Sequence, residues 1–189
     1  MTIRGRKRKP GMRHPCGKRT RNETEKEVMS IVIEARQRHY GVTARQARDE
    51  RLGTAFGRLA WQGTISPNQY EAGREFGELY RRHHLALGLP LPSPRSVAGV
   101  LVNAGIFGGS SGEPDPALVD RLRRRFDAAT DALDQCDRVH RMSPGRRPVL
   151  LVYRAICVDE DTTLWPEEDL GNLRVALNAL ARVFKLDRR

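Results

Sequence analysis

The chain has 189 residues and a formal net charge of +11; 39% of it is hydrophobic, 30% charged and only 6% aromatic. That length suits one domain, or one domain with a small satellite, and an aliphatic, aromatic-poor composition favours helices over a β-sandwich. No stretch approaches ~18 uncharged apolar residues and no apolar segment follows the basic N-terminus, which argues against a membrane span or a secretory signal, so a soluble cytoplasmic protein is expected.

Residues 1–21 carry Arg4, Arg6, Lys7, Arg8, Lys9, Arg13, Lys18, Arg19 and Arg21 and no acid, whereas the other 25 basic residues meet 23 acidic ones. With Pro10, Gly11, Pro15 and Gly17 and almost nothing apolar to bury, this segment is predicted to be a disordered basic arm that follows a polyanion without fixed geometry. Arg4-Gly5-Arg6 resembles a minor-groove AT-hook only weakly, because the proline comes late; a non-specific arm is the simpler reading. His14-Pro15-Cys16 supplies two potential metal ligands with no downstream partners, too few for a tetrahedral site. The three cysteines, Cys16, Cys136 and Cys157, have no paired spacing, which fits a reducing compartment.

A first helix is expected from Asn22 to Tyr40, capped by Asn22 with Glu25 and stopped by Gly41. Its stripe of Val28, Val32, Ala35 and His39, widened by Met29, Ile31 and Ile33, predicts a broad buried face. Thr43 and Gln46 predict a short second helix ending near Leu52-Gly53, with Arg45, Arg48 and Arg51 on a solvated face.

The best-specified stretch is Leu52 to Leu87, two helices joined by the turn Gly63-Thr64-Ile65-Ser66. Ser66 is a natural N-cap, Pro67 suits the first helical position, and Gln69 completes a capping box, with Ile65 and Tyr70 as hydrophobic staple. The first helix presents Leu52, Ala55, Phe56, Leu59 and Ala60; the second presents Tyr70, Gly73, Phe76, Leu79, Tyr80 and His83. The outline is helix-turn-helix-like. However, the second helix is about 20 residues long by its pattern, and Glu71, Glu75 and Glu78 stand among the arginines of its outer face, so a plain αα-hairpin is the expectation. His83 and His84 are expected to complement the helix dipole at its C-terminal end.

Prolines 90, 92, 94, 114 and 116, with Gly108, Gly109 and Gly112, bracket the uncharged run Val97 to Phe107 and predict a linker over 89–116. Asp115 and Pro116 then open a helix running to about Arg141. Leu122, Phe126, Ala129, Leu133, Cys136 and His140 form a heptad stripe that either packs within the chain or provides a seam for a second copy or a protein partner. Arg121, Arg123, Arg124 and Arg125 lie in its first turns, where the dipole disfavours them, and form the main basic cluster outside the arm. Pro148 to Val158 is apolar and read as helix. A last helix over 166–186 presents Leu170, Leu173, Leu177, Leu180 and Phe184, and acids from Asp159 to Asp169 crowd its approach, where they would repel DNA.

The expected architecture is therefore all-α: a disordered basic arm (1–21), an N-terminal helical domain with a central αα-hairpin (22–88), a Pro/Gly-rich linker (89–116) and a C-terminal helical subdomain (117–189). No nucleophile with a base, no carboxylate pair in a known motif, no phosphate loop and no metal spacing is visible, so neither an enzyme nor a cofactor is expected.

Several phrases of the sequence, Ile33-Glu34-Ala35-Arg36-Gln37-Arg38, Ala47-Arg48-Asp49, Gly57-Arg58-Leu59, Gln69-Tyr70-Glu71-Ala72-Gly73 and Leu177-Asn178-Ala179-Leu180-Ala181, resemble those of uncharacterised proteins encoded in alphaproteobacterial phages and prophages. The resemblance spans most of the chain. It implies a phage or prophage setting and a bacterial host cell, and brings no catalytic or binding residues with it. Together with the arm it leads to the expectation of a non-enzymatic protein that binds DNA with weak sequence preference, as a packaging accessory or a transcriptional regulator. The alternative is a structural or adaptor protein whose amphipathic helices bind a protein partner.

Overall fold

The computed structural model describes residues 15, 23–92, 115–140 and 147–186. Every regular element among them is helical, as the sequence predicts. In chain order they are α1 (Glu23–Tyr40), 3-10 turns at Gln46–Arg48 and Glu50–Gly53, α2 (Ala55–Trp61), α3 (Pro67–Ala86), α4 (Pro116–His140), α5 (Pro148–Val152) running into a π-turn (Tyr153–Cys157), and α6 (Glu167–Val183). The contacts divide the chain into two units, 1–49 and 50–189.

In the first unit, Gly41 ends α1 with φ +63°, a conformation that costs glycine little. The guanidinium of Arg36 donates to the carbonyls of Ala47 and Asp49, drawing the 43–49 segment onto the flank of α1 that carries Arg36. The broad apolar face predicted to be buried is instead open: Val28 is 61% exposed, Met29 59%, Ile31 65% and Val32 38%. Periodicity marks a face that prefers an apolar partner; it does not supply one. The Thr43–Gln46 box forms as expected, with the Gln46 side chain accepting from the Thr43 amide at 2.9 Å. The segment beyond it nevertheless forms two 3-10 turns in place of one short helix, because Asp49 is extended (ψ 125°) and interrupts any helix there.

The second unit is built around the α2–α3 hairpin. Ser66 caps α3 as expected: its hydroxyl accepts the Gln69 amide and the Gln69 side chain accepts the Ser66 amide. The Gln69 carboxamide also donates to Asn178 Oδ1 at 2.9 Å, and the Arg174 guanidinium donates to the Thr64 carbonyl at 2.9 Å, so the hairpin turn is fastened to α6. Gly73 permits a close approach between α2 and α3, since a β-carbon there would land on the Phe56 ring. Thr54 caps α2 through Gly57, and Asp159 caps it a second time through the Ala55 amide.

Phe56, Phe76, Leu79, Leu122, Ala129, Leu133, Leu151, Leu173, Leu177 and Leu180 share one core. Two expectations change here. Helices on both sides of 89–116 meet in this core, so the division between units falls near residue 50 and not at the Pro/Gly-rich stretch; each helix had only half a core to offer and needed the other to complete it. The α4 stripe, with Leu122, Ala129 and Leu133 buried against α3, α5 and α6, is consumed within the chain and is not an open seam for a second copy.

Candidate nucleic-acid interface

Of the basic residues that the sequence nominates, Arg4, Arg6, Lys7, Arg8, Lys9, Arg13, Lys18, Arg19 and Arg21 lie outside the described residues, as do Asn22 and the apolar run 97–107. Arg121, Arg123, Arg124 and Arg125 are exposed on α4, whose N-terminus is capped by Asp115 accepting from the Ala117 amide at 3.0 Å. At ~100° per residue they spread around the helix: Arg124 lies opposite the buried stripe, and Arg123 and Arg125 flank it on its two sides. They do not form one face that could follow a groove.

Their partners divide them further. Arg125 donates to Glu75 of α3 at 2.7 Å, the pairing within the body that the sequence allowed. Arg124 reaches the Asp120 carbonyl at 3.3 Å. Among the described residues no carboxylate pairs with Arg121, Arg123 or Arg124, which leaves three exposed cations here.

The outer face of α3 is zwitterionic. Glu71 pairs with Arg74, and Glu78 accepts from both Arg81 and Arg82. Burial alone would raise the Glu78 carboxyl, but the bonds from Arg81 and Arg82 outweigh it and hold the group below the usual range. These pairs and Glu75 border an open groove of about 450 Å³ lined by Glu71, Arg74, Glu75, Gly77, Glu78 and Arg82. With Arg81 and Arg125 counted, the three carboxylates of this face meet four guanidiniums, so its charges are largely paired.

Several of the acids expected to repel DNA near the last helix are engaged by partners within the chain. Glu160 takes a two-pronged bond from Arg154, which is stacked on Trp165 at 4.9 Å; Asp161 accepts from Thr163 and Arg58; Glu167 pairs with Arg174. They hold loops and helix ends together. Exposed pairs of this kind add little stability, but they cancel much of the surface charge that the sequence suggested.

His83 and His84 lie in the last turn of α3, as expected, but His83 is also buried: its ring stacks on Phe126 at 4.2 Å and 12°, while His84 stacks on Tyr80 at 3.8 Å. Sequence reasoning missed this cluster, although the spacing of Phe76, Tyr80 and His83 on one face of α3 already placed the rings together.

Among the described residues no group of histidine, cysteine, aspartate and glutamate is arranged to hold a metal, and no helix is long and apolar enough to cross a membrane. The fold defines an all-α protein. Set against known proteins, the chain matches no family model, no curated protein and no solved structure.

Proposed function

We propose that this is a non-enzymatic nucleic-acid-associated protein, encoded by a phage or prophage, that holds DNA chiefly through residues 1–21 and serves as a packaging accessory or in transcriptional control. The observation that supports this reading is the contrast in charge. In the body, Arg58, Arg74, Arg81, Arg82, Arg125, Arg147, Arg154 and Arg174 all pair with carboxylates, whereas residues 1–21 hold nine basic residues and no acid. The exposed cations at Arg121, Arg123 and Arg124 add a minor contact. Gel shift on unrelated duplexes, with and without residues 1–21, tests it: removal of the segment is expected to abolish most binding on every duplex. Retained affinity in the truncated protein would refute the assignment.

A second reading, an adaptor that binds a protein partner, is favoured by the open apolar face of α1. In that case Ile31→Glu abolishes association with the partner while DNA binding, measured in the same gel shift, is unchanged.

A further inference from the structure

The seam between α3 and α4 contains an imidazole in an environment built for its neutral form. His83 is 8% exposed, lies flat on Phe126, and has an Nδ1 that no described residue hydrogen-bonds. His84, next to it, differs: its Nδ1 sits 3.0 Å from the Tyr80 carbonyl, an acceptor that suits the neutral and the charged ring alike. Neither the Tyr80 hydroxyl nor the Cys157 thiol titrates near neutrality. Burial, with a smaller contribution from Tyr153, pushes the Tyr80 hydroxyl up to about 12, and burial alone pushes the Cys157 thiol up to about 12.

The groups that face His83 can be named from each side. From α3 comes His84, itself stacked on Tyr80, and from α4 come Phe126, Arg123 and Asp127. A proton on His83 would place a charge in a mostly aromatic, water-poor contact beside His84 and Arg123, with Asp127 as an opposing carboxylate. We propose that His83 is a proton-operated latch: neutral, it closes the α3–α4 seam over Phe126; protonated, it releases the first turns of α4, which carry Arg121 to Arg125.

The sign follows from linkage. Burial, then His84 and Arg123, lower the proton affinity of His83 in the closed seam, and Asp127 offsets only part of this. The open seam therefore binds the proton more tightly than the closed one. Closure is fully favoured above the ordinary histidine value of about 6.5 and is lost as pH falls below it.

The test is a pair of measurements on the full chain. The ring resonance of His83, followed by NMR from pH 8.5 to 4.5, is expected to have its midpoint below about 6.5. Amide exchange in the first turns of α4, corrected for intrinsic rates, is expected to accelerate by up to about tenfold for each unit of acidification over that interval. His83→Phe keeps the stack without the proton and should remove the pH dependence of exchange; Arg123→Gln should move the His83 midpoint upward, which a purely space-filling histidine would not show. A midpoint at or above the ordinary value overturns the latch, as does unchanged pH dependence in His83→Phe. Should that variant fail to fold, the wild-type titration and Arg123→Gln still decide.

Discussion

The carboxylate of Asp159 accepts the backbone amide of Ala55 at 2.6 Å, so the first turn of α2 is capped by a residue 104 positions further along the chain. Asp159 adopts φ 55°, a left-handed conformation that aspartate and asparagine tolerate better than other residues with a β-carbon. Asp159→Ala loses the acceptor and keeps the unfavourable backbone, and should cost roughly 1–2 kcal/mol. Asp159→Gly relieves the backbone and should cost less; Asp159→Asn retains an acceptor and should cost least. Urea midpoints of the three variants give the order, and an alanine variant as stable as the wild type would show that the cap contributes nothing.

Two glycines should respond to alanine with opposite signs. At Gly73 the new β-carbon meets the Phe56 ring and lies 3.0 Å from the Ile156 Cδ1, and overpacking of this kind costs about 1–3 kcal/mol. At Gly171, within α6, nothing lies within 4 Å of the new carbon. There the better helix propensity of alanine should add roughly 0.5–1 kcal/mol. Thermal melts of both variants test the pair. A stabilising Gly73→Ala would mean that α2 and α3 do not cross there.

Gln69 should matter more than the residue it helps to cap. Ser66→Ala removes one capping acceptor and should cost about 1 kcal/mol. Gln69→Ala removes the return bond to Ser66 and also the bond to Asn178; both partners are exposed and can turn to water, so the loss is that of two ordinary hydrogen bonds, roughly 1–3 kcal/mol. A double-mutant cycle with Asn178→Ala should reveal coupling of about 0.5–3 kcal/mol between α3 and α6. Strict additivity would sever the proposed link.

If ~6 of the nine basic residues in 1–21 neutralise phosphates, log affinity should fall against log salt with a slope near −5. Neutralising all nine should abolish most binding, and changing Arg121, Arg123 and Arg124 to Ala should reduce the slope by ~1–2. Arg125→Ala should change it least, because that guanidinium is held by Glu75. A salt titration on two unrelated duplexes provides all of these values; a duplex preference surviving in the arm variant would point to a reader in the folded body.

Local chemistry was legible in the sequence by itself. The Ser66–Gln69 box, the Asp115 cap, the stop at Gly41 and the helical periods of α3, α4 and α6 each depend on residues within a turn or two of one another, so the chain order contains the whole cause. The all-α class follows from those periods, and the concentration of basic charge in residues 1–21 is a property of the sequence alone. Tertiary structure decided the rest, because the cause lies between residues that are distant in the chain. An amphipathic stripe looks the same whether it is covered, as at Leu122 and Leu133 on α4, or open, as at Ile31 on α1. Acids that read as a barrier to DNA are the caps and ion-pair partners of distant segments, Asp159 with Ala55 and Glu75 with Arg125. The histidine that looked like a helix-end charge is a buried ring stacked on Phe126, because burial and the partners that cause it are set by packing and not by position along a helix.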